Sequence, residues 1–391
     1  MIGLLSGYLA LDLTDLKGQL CGKLLHDLGF EVIKIEPPGG DPVRQMAPFK
    51  GDVPHLEGSL RFAYLNAGKH SITLDITQPK GFDLLLRLAE QADVLLESGP
   101  PGSLDLSALR KRNPKLVITS VSGFGQTGPQ RGYLCPDIVG VAVGGLMYIS
   151  GDPSLPPVSP PETQSYYFAS VYAALGTLLA LWQRGNDGPG RAIDVSAQEA
   201  IASQEHLVRY AGFDHVNVVR HGSQHEHVAP ANIFPTLDGY VYLFVARTHW
   251  QRFLDAWADH PAALDDPRLL DNDYRRQRAD DVNEMVSSFT RRFRRDELAE
   301  NLQKHGVPCL AVNSPTTFLR DEHIHARGLF SEVHHPVLGE YLQTSFPLLV
   351  DGQRQAPEPP PLLGQHTGEV LRERLGLEPD QIERLIAGGV V

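Results

Sequence analysis

Cysteines, long apolar runs and basic charge are all scarce in this sequence of 391 residues. The three cysteines, Cys21, Cys135 and Cys309, form no C-x-x-C pair and are too few for a disulfide framework. No apolar run approaches the roughly 18–20 residues that a membrane span requires. The N-terminus has no basic region before its apolar residues, so we expect no signal peptide. These absences favour a cytoplasmic protein with reduced thiols and no membrane partner.

Acidic residues outnumber basic ones, 47 to 35, which gives a formal net charge of −12. This balance argues against nucleic acid as a partner, although it leaves room for a local basic pocket. The G-x-G-x-x-G fingerprint is absent, which argues against NAD or FAD. His225 and His227 form an H-x-H pair without a recognisable third ligand, so we expect no metal site.

Strand and helix patterns alternate along the first third of the chain. Strands are predicted at 9–13, 30–35, 71–76, 93–97 and 116–121, and helices at 20–28, 81–92 and 106–112. This alternation predicts an α/β protein with a Rossmann-like parallel sheet.

The length of the chain predicts two domains. We expect a large domain at 1–212 that is completed by 329–391, and a histidine-rich linker at 213–228. A small domain of helices and a short sheet is expected at 229–328. It begins with a hairpin whose turn is Asp238-Gly239.

Several predicted strands are followed by loops rich in glycine, proline and serine, at 36–44, 98–102 and 122–129. Loops that leave the carboxyl ends of parallel strands line the ligand crevice, and their N–H groups can bind an anion. Arg44, in the first loop, and Lys69, before the strand at 71–76, could bind a phosphate. The alternative is that both are solvated surface cations.

The stretch from Pro156 to Gly176 places a proline-rich loop directly before an apolar, small-sided helix. We expect this helix to begin near Tyr166 and to run to Trp182. Helix N-termini favour negative charge, so a reactive group is expected at the junction.

Motifs in a fixed order run through nearly the whole chain. They are LDLT (11–14), DLGFEVIKIEPPGGDPVR (27–44), NAGKHSITLDI (66–76), ADVLLE (92–97), NPKLVITSVSGFGQTGP (113–129), GVPCLAV (306–312), DEHIHARGLF (321–330) and LLGQHTGEVL (362–371). Together they resemble the class III coenzyme A transferases, a family that includes carnitine-type and formyl-CoA transferases and α-methylacyl-CoA racemases. The resemblance implies coenzyme A as the ligand, with an acyl-CoA and a carboxylic acid as substrates. It also implies a Rossmann-like large domain, a small domain and two interlocked subunits.

The matching motifs imply a set of coenzyme A-binding residues. These are Arg44, Lys69, Ser98, Gly99, Gly123, Gly125, Gln126 and Asp137. Ser98 stands where many members of the family have asparagine. Asp137 matches a frequent acid beside the cleft, for which a structural role is expected.

The residue at the family's nucleophile position is the main departure. In the transferases an aspartate lies ten residues before the glycine that matches Gly176, and here that residue is Tyr166. A phenol cannot pass through the anhydride and enzyme thioester that this chemistry needs. The racemases add a histidine, and the matching segment 135–137 has none. Glu162 is the nearest carboxylate that could substitute for the aspartate.

Three hypotheses follow from this departure. The first is a subunit of a class III transferase, of the benzylsuccinate type, that pairs with a catalytic homologue. The second is an active homodimeric transferase or racemase that uses Glu162. The third is a non-enzymatic protein that binds coenzyme A thioesters.

Overall fold

The computed structural model describes residues 3–204 and 218–391 and divides them into two compact units. The first unit contains the described residues of 1–147, 159–216 and 323–391, and the second those of 148–158 and 217–322. The predicted linker at 213–228 falls partly outside the described residues.

The first unit is built on parallel strands joined by helices. Its strands are β1 (Leu9–Leu13), β2 (Glu31–Glu36), β3 (His70–Thr73), β4 (Val94–Glu97), β5 (Val117–Ser122) and β6 (Ala192–Ser196). Its helices up to residue 204 are α1 (Gln19–Asp27), α2 (Leu60–Leu65), α3 (Pro79–Ala89), α4 (Leu106–Arg112), α5 (Asp137–Val143), α6 (Gln164–Asp187) and α7 (Ala197–Ala202).

The six strands form one parallel sheet in the order β3-β2-β1-β4-β5-β6. In this doubly wound order the strand sequence reverses between β1 and β4, which is where such sheets open a crevice. Apolar clusters cover both faces: Leu11 and Ile33 lie in one cluster, and Ala10 and Val32 lie in the other. The predicted mixed α/β class with a parallel sheet is therefore confirmed.

The second unit contains a three-stranded antiparallel sheet and short helices. The strands are β7 (Ala231–Pro235), β8 (Tyr240–Phe244) and β9 (Cys309–Ala311), and the predicted turn at Asp238-Gly239 joins the first two. The helices are α8 (Trp250–Ala256), α9 (Asn272–Gln277), α10 (Ala279–Thr290), α11 (Arg295–Lys304) and α12 (Pro315–Phe318). Trp250, Phe253 and Phe289 centre its core.

The C-terminal segment belongs to the first unit and covers an edge of its sheet. It contains α13 (Glu322–Ala326), β10 (Phe330–His335), β11 (Gly339–Thr344), α14 (Thr367–Leu375) and α15 (Pro379–Ala387). His366 N–H donates to the Ser71 carbonyl at 2.9 Å, and Thr73 N–H donates to Thr367 Oγ1 at 2.9 Å. These bonds satisfy the outer edge of β3, which would otherwise be open to strand pairing.

Paired charges are buried at the carboxyl side of β1 and β2. Lys69 Nζ lies 2.7 Å from Asp12, and Lys34 Nζ lies 2.8 Å from Asp41. Arg44 bonds Glu36 through two nitrogens, at 2.6 and 2.8 Å, and also pairs with Glu57. All of these side chains except Glu57 are at least 95% buried. Their interactions tie the first three strands to the loop at 41–57.

No run of membrane-spanning length is expected from the sequence, and helix α6 corrects that expectation. It contains the one stretch among the described residues that is long and apolar enough to cross a membrane, Gln164–Asn186. Half of its most apolar window is buried, and Ala169 and Ala173 pack in the core. Core helices of soluble proteins pass the same test, so the helix is weak evidence for a membrane span.

Breaking the buried ion pair between Glu36 and Arg44 should be strongly destabilising. Glu36→Gln leaves the buried guanidinium of Arg44 with Glu57 as its one remaining carboxylate partner among the described residues. We expect a loss of up to about 3–5 kcal/mol in the free energy of unfolding. The free energy of unfolding is measured by urea titration monitored by circular dichroism. The matched control is Glu90→Gln, because Glu90 pairs with Arg112 at the surface and should change stability by less than about 1 kcal/mol. Equal stability of the two variants would contradict this account.

The same carboxylate should make the fold acid-sensitive. Burial acts to raise the pKa of Glu36, but its hydrogen bonds and attraction to Arg44 outweigh burial and hold the pKa below the ordinary 4.5. The unfolded chain then binds more protons in acid, so stability is complete above about pH 5 and falls as pH drops toward the folded pKa. Urea midpoints measured from pH 6 to pH 3 should fall more steeply for the wild type than for Glu36→Gln. Parallel curves would argue against a lowered pKa at Glu36.

Candidate functional site

A cavity of about 690 Å³ opens at the carboxyl ends of β1, β4 and β5, in the crevice where the strand order reverses. Its apolar lining comes from Leu13, Leu16, Met46, Pro100, Pro101 and Tyr133. Of the predicted site residues, Ser98, Gly99, Gly123, Asp137 and Tyr166 line it. These five residues therefore lie at one cavity, and their contact with coenzyme A stays a prediction.

The start of α6 forms one wall of the cavity, and Asp137 caps it. Asp137 Oδ1 accepts hydrogen bonds from Ser165 N–H at 2.8 Å, from Ser165 Oγ at 2.7 Å and from Tyr166 N–H at 3.3 Å. The two N–H groups are backbone donors that the first turn of a helix leaves without partners. The carboxylate of Asp137 thus supplies the negative charge that the helix N-terminus favours.

Tyr166 is buried in this wall, and its phenol has a partner inside the protein. The hydroxyl donates to the Cys135 carbonyl at 2.7 Å, and 7% of the residue is exposed. Burial, together with the nearby Cys135, Asp15 and Asp137, raises the pKa of the phenol well above its ordinary value of 10. The phenol is therefore neutral at physiological pH and is a poor nucleophile.

The loop after β4 is held by its own polar groups. Ser98 Oγ accepts from Asp15 N–H and donates to Asp15 Oδ1, each at 2.8 Å. Gly99 N–H donates to Glu97 Oε2 at 2.9 Å, and burial raises the pKa of Glu97. Ser98 thus fixes the loop after β1, and the Gly99 N–H is already satisfied.

The loop after β5 is fixed in the same way. Gly125 N–H donates to Ser122 Oγ at 2.9 Å, and Gln126 N–H donates to Asp194 at 2.9 and 3.1 Å. A Cβ on Gly123 would lie 2.2 Å from the Cβ of Cys135, so this close approach requires glycine. Gln126 and Gly125 do not line the cavity.

Arg44 and Lys69 lie in the interior and not on the cavity wall. Besides Asp12, Lys69 Nζ donates to the Gln19 carbonyl at 2.8 Å and to Asn66 Oδ1 at 2.9 Å. Both the expected phosphate contact and the alternative of solvated surface cations assumed that these cations are accessible. Both side chains are fully buried and paired with carboxylates, so the surface alternative is wrong. A phosphate contact would require these ion pairs to open, and it stays a prediction.

Glu162, the candidate substitute carboxylate, faces away from the interior. Its side chain is 63% exposed and lies 3.6 Å from Arg61, and its backbone has a φ of +61°. Glu162 does not line the cavity. This geometry gives no support to a nucleophilic role.

The H-x-H pair forms a local turn in which His227 N–H donates to His225 Nδ1 at 3.0 Å. Within residues 3–204 and 218–391, no three histidine, cysteine, aspartate or glutamate side chains are placed to hold a metal ion.

Sequence reasoning missed Asp12, Lys34 and Glu36 as parts of the buried network. A signal was present for Asp12 and Lys34, because they stand inside predicted strands of a parallel sheet, where a buried charge needs a partner. Glu36 was expected in the loop at 36–44, and the structure extends the strand to include it. It also missed Arg131, which lines the cavity from the loop before α5. No pattern in the sequence separates Arg131 from other surface arginines.

Sequence comparison finds CoA-transferases that match this chain over nearly its whole length. The succinyl-CoA–D-citramalate CoA-transferase of Chloroflexus aurantiacus is 34% identical, over 96% of this chain and 95% of the relative. The succinyl-CoA–L-malate CoA-transferase beta subunit of the same organism is 32% identical, over 97% and 95%. Subunit BbsE of the succinyl-CoA:(R)-benzylsuccinate CoA-transferase of Thauera aromatica is 29% identical, over 99% and 98%.

Comparison with solved structures also finds a protein of the same fold. The crystal structure of a CAIB/BAIF family protein from Brucella suis superposes with a TM-score of 0.85 at 26% identity, covering 94% of this chain and 98% of that one. The model of CoA-transferase family III matches residues 5–367. The resemblance predicted from the motifs is thereby confirmed, and the chain belongs to CoA-transferase family III.

Proposed function

We propose that this chain is a subunit of a CoA-transferase that moves coenzyme A between an acyl-CoA thioester and a carboxylic acid. In this proposal the chain does not supply the nucleophile and pairs with a catalytic homologue. The observation that carries it is Tyr166, which occupies the family's aspartate position. Its neutral, buried phenol cannot form the acyl anhydride that precedes the enzyme thioester.

Two relatives carry the word subunit in their names, the L-malate transferase beta subunit and BbsE. This supports an assembly with a second chain. The two-subunit arrangement that we propose is the interlocked form implied by the family resemblance. The catalytic carboxylate would then come from the partner chain.

Helix α6 offers a surface for such a partner. One side of it is a stripe of exposed apolar side chains at helical spacing. These are Phe168, Val171, Tyr172, Leu175, Leu179 and Trp182. Trp182 is 73% exposed, which is unusual for the largest apolar side chain. Contiguous exposed apolar surface of this kind marks interaction sites.

Transfer activity should depend on the partner. We expect transfer from succinyl-CoA or acetyl-CoA to a carboxylic acid only when the chain is co-expressed with its genomic neighbour. Tyr166→Phe removes one hydrogen bond, worth about 1 kcal/mol of stability, and should leave the turnover of the pair unchanged. The transfer rate is measured by chromatography of the new thioester over time.

Two outcomes of that assay would contradict the proposal. Turnover by the chain alone that is lost in Glu162→Gln would show that the nucleophile has moved. Tight binding of coenzyme A without turnover, alone or with the neighbour, would favour a non-enzymatic binding protein.

The α6 stripe should be required for association. We expect Leu175→Glu with Trp182→Glu to prevent assembly with a second subunit, because two carboxylates would be buried without partners. Native mass spectrometry and analytical ultracentrifugation measure the assembly. The control is Ile386→Glu, an exposed apolar position on α15, which should leave it unchanged. Assembly of the double variant at wild-type strength would exclude the stripe as an interface.

A further inference from the structure

Most anion-binding groups predicted for the cavity are already used inside the protein. Arg44 and Lys69 are paired with buried carboxylates. The first turn of α6 donates to Asp137, and the Gly99 N–H donates to Glu97. A phosphorylated ligand in this cavity would need a donor other than these.

Among the described residues, four acidic or basic side chains line the cavity: Asp15, Lys17, Arg131 and Asp137. Lys17 pairs with Asp15, and Asp137 caps α6. Arg131 is exposed, and its guanidinium forms no ion pair or hydrogen bond with the part of the chain that the structure describes. It is thus the one lining cation, among those described, whose donors are free.

The loop that carries Arg131 has a fixed backbone. Tyr133 N–H donates to the Gln130 carbonyl at 2.8 Å, and Arg131 N–H donates to the Gly128 carbonyl at 3.4 Å. These turns hold the base of the arginine at the cavity while its long side chain stays available. The planar guanidinium can offer two parallel donors to phosphate oxygens, which an ammonium cannot do.

We propose that Arg131 binds a phosphate group of a coenzyme A thioester at the mouth of this cavity. The apolar lining of Leu13, Leu16 and Pro100 then faces the pantetheine arm and not the charged end of the ligand. This inference rests on the proposed function and assigns its phosphate contact to a residue that the motif match did not include.

Calorimetric titration of the full chain with coenzyme A and with pantetheine, which has no phosphate, tests this assignment. We expect Arg131→Ala to weaken the binding of coenzyme A about tenfold, as for loss of a charged hydrogen bond, and to leave pantetheine binding unchanged. The dependence of coenzyme A binding on salt should also become shallower in this variant. Arg110→Ala, at an exposed arginine of α4 outside the cavity lining, is the matched control and should behave as wild type.

The outcomes separate this inference from the proposed function. If the wild type binds coenzyme A and Arg131→Ala binds it equally well, or loses coenzyme A and pantetheine to the same extent, the phosphate contact is wrong and the proposed function stands. If the wild type binds no coenzyme A, alone or with its partner, both are wrong. Because Arg131 has no partner in the described structure, the variant should keep the thermal midpoint of the wild type.

Discussion

Pairing of buried charges is the constraint on which the first unit depends. A charge in a protein interior loses its hydration and is tolerated only with well-placed partners. Asp12, Lys34 and Glu36 lie within strands β1 and β2, and each pairs with a charged residue outside its own strand. The partners are Lys69, Asp41 and Arg44. Glu57, the second partner of Arg44, also accepts the Leu363 N–H at 2.9 Å, so the network reaches the C-terminal segment. The buried ion pairs of the N-terminal strands are thus connected, through Glu57, to the C-terminal segment.

The same constraint shapes the cavity. Its loops are fixed by polar side chains that accept hydrogen bonds from backbone N–H groups. Glu97 and Ser122 accept within their own turns, and Ser98 accepts from the loop after β1. Each N–H that fixes a loop is lost to the ligand. This explains why Gly/Ser-rich loops can surround a site and yet offer few anion donors. In this chain the shape of the cavity comes from the loops, while the free positive charge comes from a long side chain at its edge.

Local patterns predicted the elements well, whereas the surroundings of single side chains could not be predicted. The strand at Leu9–Leu13 and the helix at Leu106–Arg112 match the structure residue for residue. The strand expected at 71–76 ends at Thr73, because Asp75 turns the chain by accepting the Thr77 N–H and donates its own N–H to Val390. Helix α6 extends beyond both predicted ends.

The cations show where sequence reasoning stops. The residues next to Arg44 and Lys69 in the sequence do not reveal whether these two side chains are exposed to solvent or buried. Their partners Glu36 and Asp12 lie eight and 57 positions away in the chain, so only the tertiary fold reveals the pairs. Helix α2 was missed although Ser59 caps it by accepting the Phe62 N–H, which is a recognisable start signal.

In this chain the start of α6 accommodates an uncharged hydrogen-bond donor at position 166. The Tyr166 hydroxyl donates to the Cys135 carbonyl, and the Tyr166 backbone N–H donates to the Asp137 carboxylate at the helix N-terminus. A carboxylate at position 166 would lie close to a second carboxylate, and repulsion and burial would both raise its pKa. The phenol avoids both penalties because it is a donor without charge. The surroundings of position 166 thus agree with the uncharged donor that this chain has there.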